Sequence, residues 1–144
     1  MPYTYSEDLT TSDAGFFAWG ESVAEMCAAA CDALAEVMVT DLSQIRNNEH
    51  KDLDLQAESV DLLLRECLNA IIFYKDAEGL LLRLNDPVAW QAQHNLWRLR
   101  GKAIGEAIDP ERHDIGVDVK AITYHNFSVE KKDQGWQAAV VVDV

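Results

Sequence analysis

Lys131-Lys132-Asp133-Gln134-Gly135-Trp136-Gln137-Ala138-Ala139-Val140-Val141-Val142-Asp143-Val144 stands at the end of the 144-residue sequence, and its reading decides the fold. A short polar stretch ending in Gly135 separates two runs rich in Val, Ile, Thr and aromatic residues, Val117 to Glu130 and Trp136 to Val144, which is the signature of a β-hairpin. Along the last run Trp136, Ala138, Val140 and Val142 project one way and Gln137, Ala139, Val141 and Asp143 the other. Working backward, strand character recurs at Val88 to about Ile104, at Leu80 to Leu84, weakly near Leu53 to Ala57, and at Gly15 to Trp19. Trp90 to Arg100 also satisfies a helical reading, because Gln, Ala, Leu and Arg have good helix propensity.

Two segments carry a helical period instead. From Glu21 to about Thr40, the residues Val23, Met26, Cys27, Ala30, Cys31, Leu34, Val37 and Met38 recur at intervals of three and four, the stripe of an amphipathic helix. Ser22 followed by Glu25 resembles a capping box and marks its start. A second helix is expected from about Glu58 to Tyr74, with Leu63, Cys67, Leu68, Ile71 and Ile72 facing inward and Asp76-Ala77-Glu78-Gly79 ending it. Helices toward the first half and strands dominating the second predict an α+β fold, two helices packed on a mostly antiparallel β-sheet, as a single domain over residues 1–144.

The composition suits one such domain, at 49% hydrophobic and 8% aromatic residues. No uninterrupted apolar run reaches membrane-spanning length, and the first residues lack the basic and apolar regions of a signal peptide. The expectation is a soluble, unexported, cytoplasmic protein with no membrane partner. Cys27, Cys31 and Cys67 are odd in number, and the first two sit four apart among Ala and Met, so they read as small core hydrophobes. The four histidines show no ligand-like spacing with them, which disfavours structural zinc. A formal charge of −13, from 25 acidic and 12 basic residues, repels phosphate backbones and favours basic protein surfaces or cations, so direct binding of DNA or RNA is not expected. The same acidity also serves solubility alone.

The chemistry-bearing residues gather at the two ends of the chain. Asp143 and the α-carboxylate of Val144 close the last strand one residue apart. Asp13 precedes Ala14-Gly15 and the first predicted strand. Should that strand lie beside the last, Asp13, Asp143 and the Val144 carboxylate converge, and three hard oxygen groups so close call for a cation such as Ca²⁺ or Mg²⁺. From the residues alone, Asp13 is more simply a turn residue and Asp143 a solvated strand end. Lys120 is a charge within an apolar strand, read equally as a partner contact or a lysine on a solvent face. His125 reads as a packed strand histidine, Glu106 and Asp109 as turn or edge residues, and Asp41 and Asp61 as helix-end and helix-surface charges. Trp19, Trp90, Trp97 and Trp136 read as core.

Longer patterns resemble the archease family. Gly20-Glu21-Ser22 with Glu36-Val37-Met38-Val39-Thr40-Asp41, and Cys67-Leu68-Asn69-Ala70-Ile71-Ile72-Phe73 followed by Lys75-Asp76-Ala77-Glu78-Gly79-Leu80, are similar to the family's first half. More specific are Gly105-Glu106, Asp109-Pro110-Glu111-Arg112-His113, Val119-Lys120-Ala121-Ile122-Thr123-Tyr124-His125 and Val142-Asp143-Val144. The resemblance covers essentially the whole chain. It implies a metal site for Ca²⁺, or another divalent cation such as Mg²⁺ or Mn²⁺, formed by Asp13, Asp143 and the carboxylate of Val144. It also implies a non-enzymatic role, activation of an RtcB-type RNA ligase by promoting its guanylylation and repeated turnover in joining tRNA halves, with tRNA met only through the ligase. The family's first Asp and His fall on Leu9 and Thr10 here, and its Ala falls on Ser12, a departure that bears on supporting contacts more than on the ligands.

Enzyme signatures are missing from the sequence: it holds no Gly-rich phosphate loop, no Gly-x-Ser-x-Gly elbow and no metalloprotease helix motif. Two other functions are carried beside the ligase activator, a chaperone-like binding module for other nucleic-acid-processing enzymes and a metal-dependent phosphohydrolase.

Overall fold

The computed structural model describes residues 2–6 and 14–144. Its elements run β1 (Tyr3–Tyr5), β2 (Ala14–Gly20), α1 (Val23–Met38), β3 (Glu49–Ala57), α2 (Val60–Glu78), β4 (Leu80–Gln91), β5 (Trp97–Ala107), β6 (Ala121–Ile122), β7 (Ser128–Lys132) and β8 (Gly135–Asp143). All strand pairs are antiparallel. The expected α+β class holds, but the strands form two sheets: one ordered β1-β2-β8-β6 with β7 also on β8, the other β3-β5-β4. Each helix touches both sheets, α1 against β2, β8 and β4, and α2 against β3, β4, β5, β6 and β7.

That placement explains why α1 is buried over more than one stripe. Beyond the predicted Met26, Cys27, Ala30, Cys31 and Leu34, the alanines 29, 33 and 35 are also buried; their small side chains let strands approach the helix from two sides. Ser22 caps α1 by accepting from the Glu25 amide at 3.1 Å, while Glu25 Oε2 accepts from the Glu21 amide at 2.8 Å, one residue further back than in the usual reciprocal box. The three cysteines are buried in the core, as their spacing suggested, and burial pushes the Cys31 thiol well above its ordinary range.

α2 runs four residues past its predicted end. It stops where Gly79 adopts φ 65° and donates its amide to the Lys75 carbonyl, a left-handed cap that glycine reaches without a Cβ clash. A Gly79→Ala variant is expected to lose about 1 to 2 kcal/mol of stability, the cost of an L side chain in the left-handed region, read by urea denaturation.

Several other differences fall at residues with positive φ. The expected strand Val88 to Ile104 is instead the end of β4, a turn and β5, because His94 and Asn95 both sit at φ 61° and reverse the chain. Asp86 at φ 42° lies in a bulge between Asn85 and Val88, where Pro87 removes no ladder hydrogen bond. The expected strand Val117 to Glu130 is reduced to β6 and β7, separated by a turn with Asn126 at φ 58°. β1 was not foreseen; Tyr3 and Tyr5 hold it to α1 by donating to Glu36 Oε2 and the Ala33 carbonyl, each at 2.7 Å. At the β4–β5 contact, a Cβ on Gly105 would lie 1.8 Å from the Leu81 carbonyl oxygen, so only glycine lets these strands meet.

Of the four tryptophans expected in the core, Trp97 and Trp136 pack against it and Trp19 and Trp90 do not. Trp19 is 40% exposed and Trp90 36%, while Trp97 and Trp136 are half-buried and meet edge to face at 6.2 Å, bridging the two sheets at their rim.

Candidate functional site

β8 is buried from Ala138 to Val142 and emerges at Asp143, which is exposed. On one side of it Ala14, the residue after Asp13 in the chain, is paired with Val142. On the other, Ala121 of β6 is paired with Asp143, and the Lys120 amide donates to the Asp143 carbonyl at 2.8 Å. β2 and β6 therefore flank the end of β8, and the exposed Lys120 lies beside Asp143. Val144 is half-buried against the core. Asp13, Leu9, Thr10 and Ser12 lie outside the described residues. Among the described residues no three Asp, Glu, His or Cys side chains stand together as a metal would require.

What holds β6 beside Asp143 was not foreseen. Two cations of α2 are buried, Arg65 at 8% exposure and Lys75 at 9%. Arg65 donates to the carbonyls of Ile122 at 2.8 Å and Thr123 at 3.3 Å, and its guanidinium lies 3.6 Å from the ring centroid of the exposed Tyr124. Lys75 donates to the Val119 carbonyl at 2.6 Å and pairs with Asp118 and with Asp76. Burial alone lowers the Lys75 pKa, but the hydrogen bonds and charges of Asp118 and Asp76 outweigh it and raise the pKa above its ordinary value. Carbonyls satisfied by side chains need no neighbouring strand, which accounts for the irregular course of residues 117–120. The signal was present in the sequence: Arg65, Leu68, Ile72 and Lys75 follow the 3-4-3 spacing of one helix face, so the two charges had to point inward.

A second unforeseen cluster braces the neighbouring loop. Glu106, expected at a turn or edge, is 6% exposed on β5. Its carboxylate accepts from the Arg112 guanidinium and the Arg46 amide, and His113 Nε2 is 3.2 Å away. The Asp109 amide donates to His113 Nδ1 at 2.9 Å, which leaves the proton on Nε2, toward Glu106. Burial pushes the Glu106 carboxyl upward, but the Arg112, Arg46 and His113 hydrogen bonds and the Arg112 charge overcome it and hold its pKa at about 2. Arg112 also donates to the Gln44 carbonyl at 2.7 Å, and Val39 bridges to Ile115, so the cluster ties the loop after β5 to the segment after α1.

The remaining residues fall out as follows. Asp109 accepts from the Glu111 amide in a turn, as expected. Asp41 caps the short 3-10 turn Leu42–Gln44 by accepting from the Ser43 amide at 3.0 Å, and Asp61 sits exposed in the first turn of α2. His125, expected to be packed within a strand, is exposed in the turn between β6 and β7, because that strand is interrupted there.

Together these elements define a two-helix, two-sheet α+β domain in which one buried strand, β8, ends at an exposed carboxylate, Asp143. Among the described residues no helix is long and apolar enough to cross a membrane. Residues 3–144 match the model of the "Archease protein family (MTH1598/TM1083)", and the chain belongs to that family. Relatives include the protein archease of Methanopyrus kandleri, 36% identical over 100% of both chains, and that of Pyrococcus abyssi, 33% identical over 93% of this chain and 94% of the other. Among solved structures, the solution structure of Methanobacterium thermoautotrophicum protein 1598 is similar with a TM-score of 0.84 and 28% identity, covering 99% of each chain.

Proposed function

We propose that this chain is a non-enzymatic accessory protein that activates an RtcB-type tRNA-splicing RNA ligase, promoting its guanylylation and multiple turnover in exon joining in the cytoplasm. Family membership supports an activator role in general. The observation that carries the finer reading is the exposed end of β8, where Asp143 is flanked by β2 and β6 with Lys120 alongside.

On this reading Asp143, the carboxylate of Val144 and Asp13 hold a divalent cation, Ca²⁺ or else Mg²⁺ or Mn²⁺. Carboxylate oxygens are hard donors and suit these ions. The ion supplies positive charge next to the ligase's nucleotide triphosphate, and Lys120 contacts the ligase. Contact with tRNA comes only through the ligase, since a chain of net charge −13 repels a free phosphate backbone.

The test is covalent labelling of the cognate ligase with radiolabelled GTP, with and without this protein. A several-fold gain in labelled ligase is expected. No gain from the folded protein would refute the activator reading and favour a chaperone-like module, whereas GTP or phosphoester turnover by the protein alone would make it an enzyme. Lys120→Ala is expected to weaken the stimulation several-fold while leaving Ca²⁺ binding by titration calorimetry unchanged.

A further inference from the structure

The turn after β6 carries Tyr124, which at 81% is the most exposed large hydrophobic side chain among the described residues. Its ring is nevertheless held in place. The Arg65 guanidinium lies 3.6 Å from the ring centroid and is itself anchored by the carbonyls of Ile122 and Thr123. The Thr123 hydroxyl donates to the His125 carbonyl at 3.1 Å and the Phe127 amide to the Tyr124 carbonyl at 3.4 Å, which closes the turn. Arg65 does not need this ring as a cover, since its donors reach two carbonyls and the Phe127 ring centroid is 5.0 Å away. A side chain whose task was to cover Arg65 would be buried along with it.

We propose that Tyr124 anchors this chain to the ligase by entering an apolar pocket beside the ligase's nucleotide site; the inference rests on the activator reading and adds a contact independent of the cation. The Thr123 amide donates to the Val141 carbonyl and Ala121 is paired with Asp143, so Tyr124 stands at most ~11 Å from Ala121. A standard interface covers ~800 Å² of each partner, a patch of roughly 16 Å radius. One centred on Asp143 therefore takes in this turn. A tyrosine ring brings a large apolar body with a polar tip, and such rings are enriched among the few residues that dominate binding. Because Arg65 already fixes the ring, docking loses little side-chain entropy. Phe73, 59% exposed, lacks this position: it lies on α2 beside Leu53 and Leu55 of β3.

The test titrates this protein into the GTP-labelling reaction of the cognate ligase and reads the concentration that gives half-maximal stimulation. Tyr124→Ala is expected to raise that concentration at least ~10-fold, the scale of truncating an anchor residue. Tyr124→Phe, which keeps the ring, is expected to recover most of the loss, and Phe73→Ala to stay within about 2-fold of wild type, as a residue outside the interface should. Titration calorimetry is expected to show Ca²⁺ binding retained by Tyr124→Ala, which separates anchoring from the carboxylate site and from loss of fold. Equal half-maximal concentrations for wild type and Tyr124→Ala, a loss that phenylalanine does not recover, or a loss matched by lost Ca²⁺ binding would each overturn this proposal and leave the activator reading standing. No stimulation by wild type at any concentration would overturn both.

Discussion

Glu106→Ala is expected to cost about 3 to 5 kcal/mol, the scale of breaking a buried ion pair by removing one partner. The carboxylate is the common acceptor for Arg112, the Arg46 amide and His113, and His113 has a fully buried side chain. Its removal leaves the partly buried Arg112 guanidinium with only the Gln44 carbonyl and the Arg46 amide without this acceptor, and the brace on the loop after β5 is weakened. A fall in melting temperature of roughly 10 °C is expected for a domain of this size. The effect depends on pH in a defined direction. Glu106 titrates near 2 in the folded chain against an ordinary 4.5, so its contribution is complete above the unfolded value and disappears as the pH falls through the folded one. The stability gap between wild type and Glu106→Gln is therefore expected to be constant near neutrality and to close between pH 4.5 and about 2. A gap that stays constant down to pH 2 would show that the charge of Glu106 contributes nothing.

Asp143→Ala is expected to abolish Ca²⁺ binding by titration calorimetry and to lower ligase guanylylation at least ~10-fold, the scale on which even a metal's supporting contacts are felt. The fold has little stake in this side chain. Asp143 is exposed, and its pairing with Ala121 and with the Lys120 amide is through the backbone, so stability is expected to change by no more than ~0.5 kcal/mol. That separation makes the variant decisive: a folded protein that still stimulates fully refutes the carboxylate site. Asp13→Ala is expected to reproduce the loss, because the proposed cation needs its third anionic ligand.

By itself the sequence determined the two helices, the C-terminal hairpin, the buried cysteines and the position of Asp143 at a strand end. Each rests on a local signal: a 3.6-residue period with a capping serine, a polar turn ending in glycine, or an alternation of side chains. Tertiary structure decided the rest. Two sheets rather than one, and helices touching both, follow from which strands pair across long separations, β2 with β8 and β3 with β5, and no local pattern specifies a partner so far along the chain. The breaks in the two long predicted strands fall at His94, Asn95 and Asn126 with positive φ, which polar residues tolerate but do not require. Glu106 read as a turn or edge residue, and only the return of Arg112 and His113 through space gives its buried carboxylate partners. Arg65 and Lys75 were legible as inward charges, but what they hold, the carbonyls of Val119, Ile122 and Thr123 next to Asp143, exists only once α2 packs against β6.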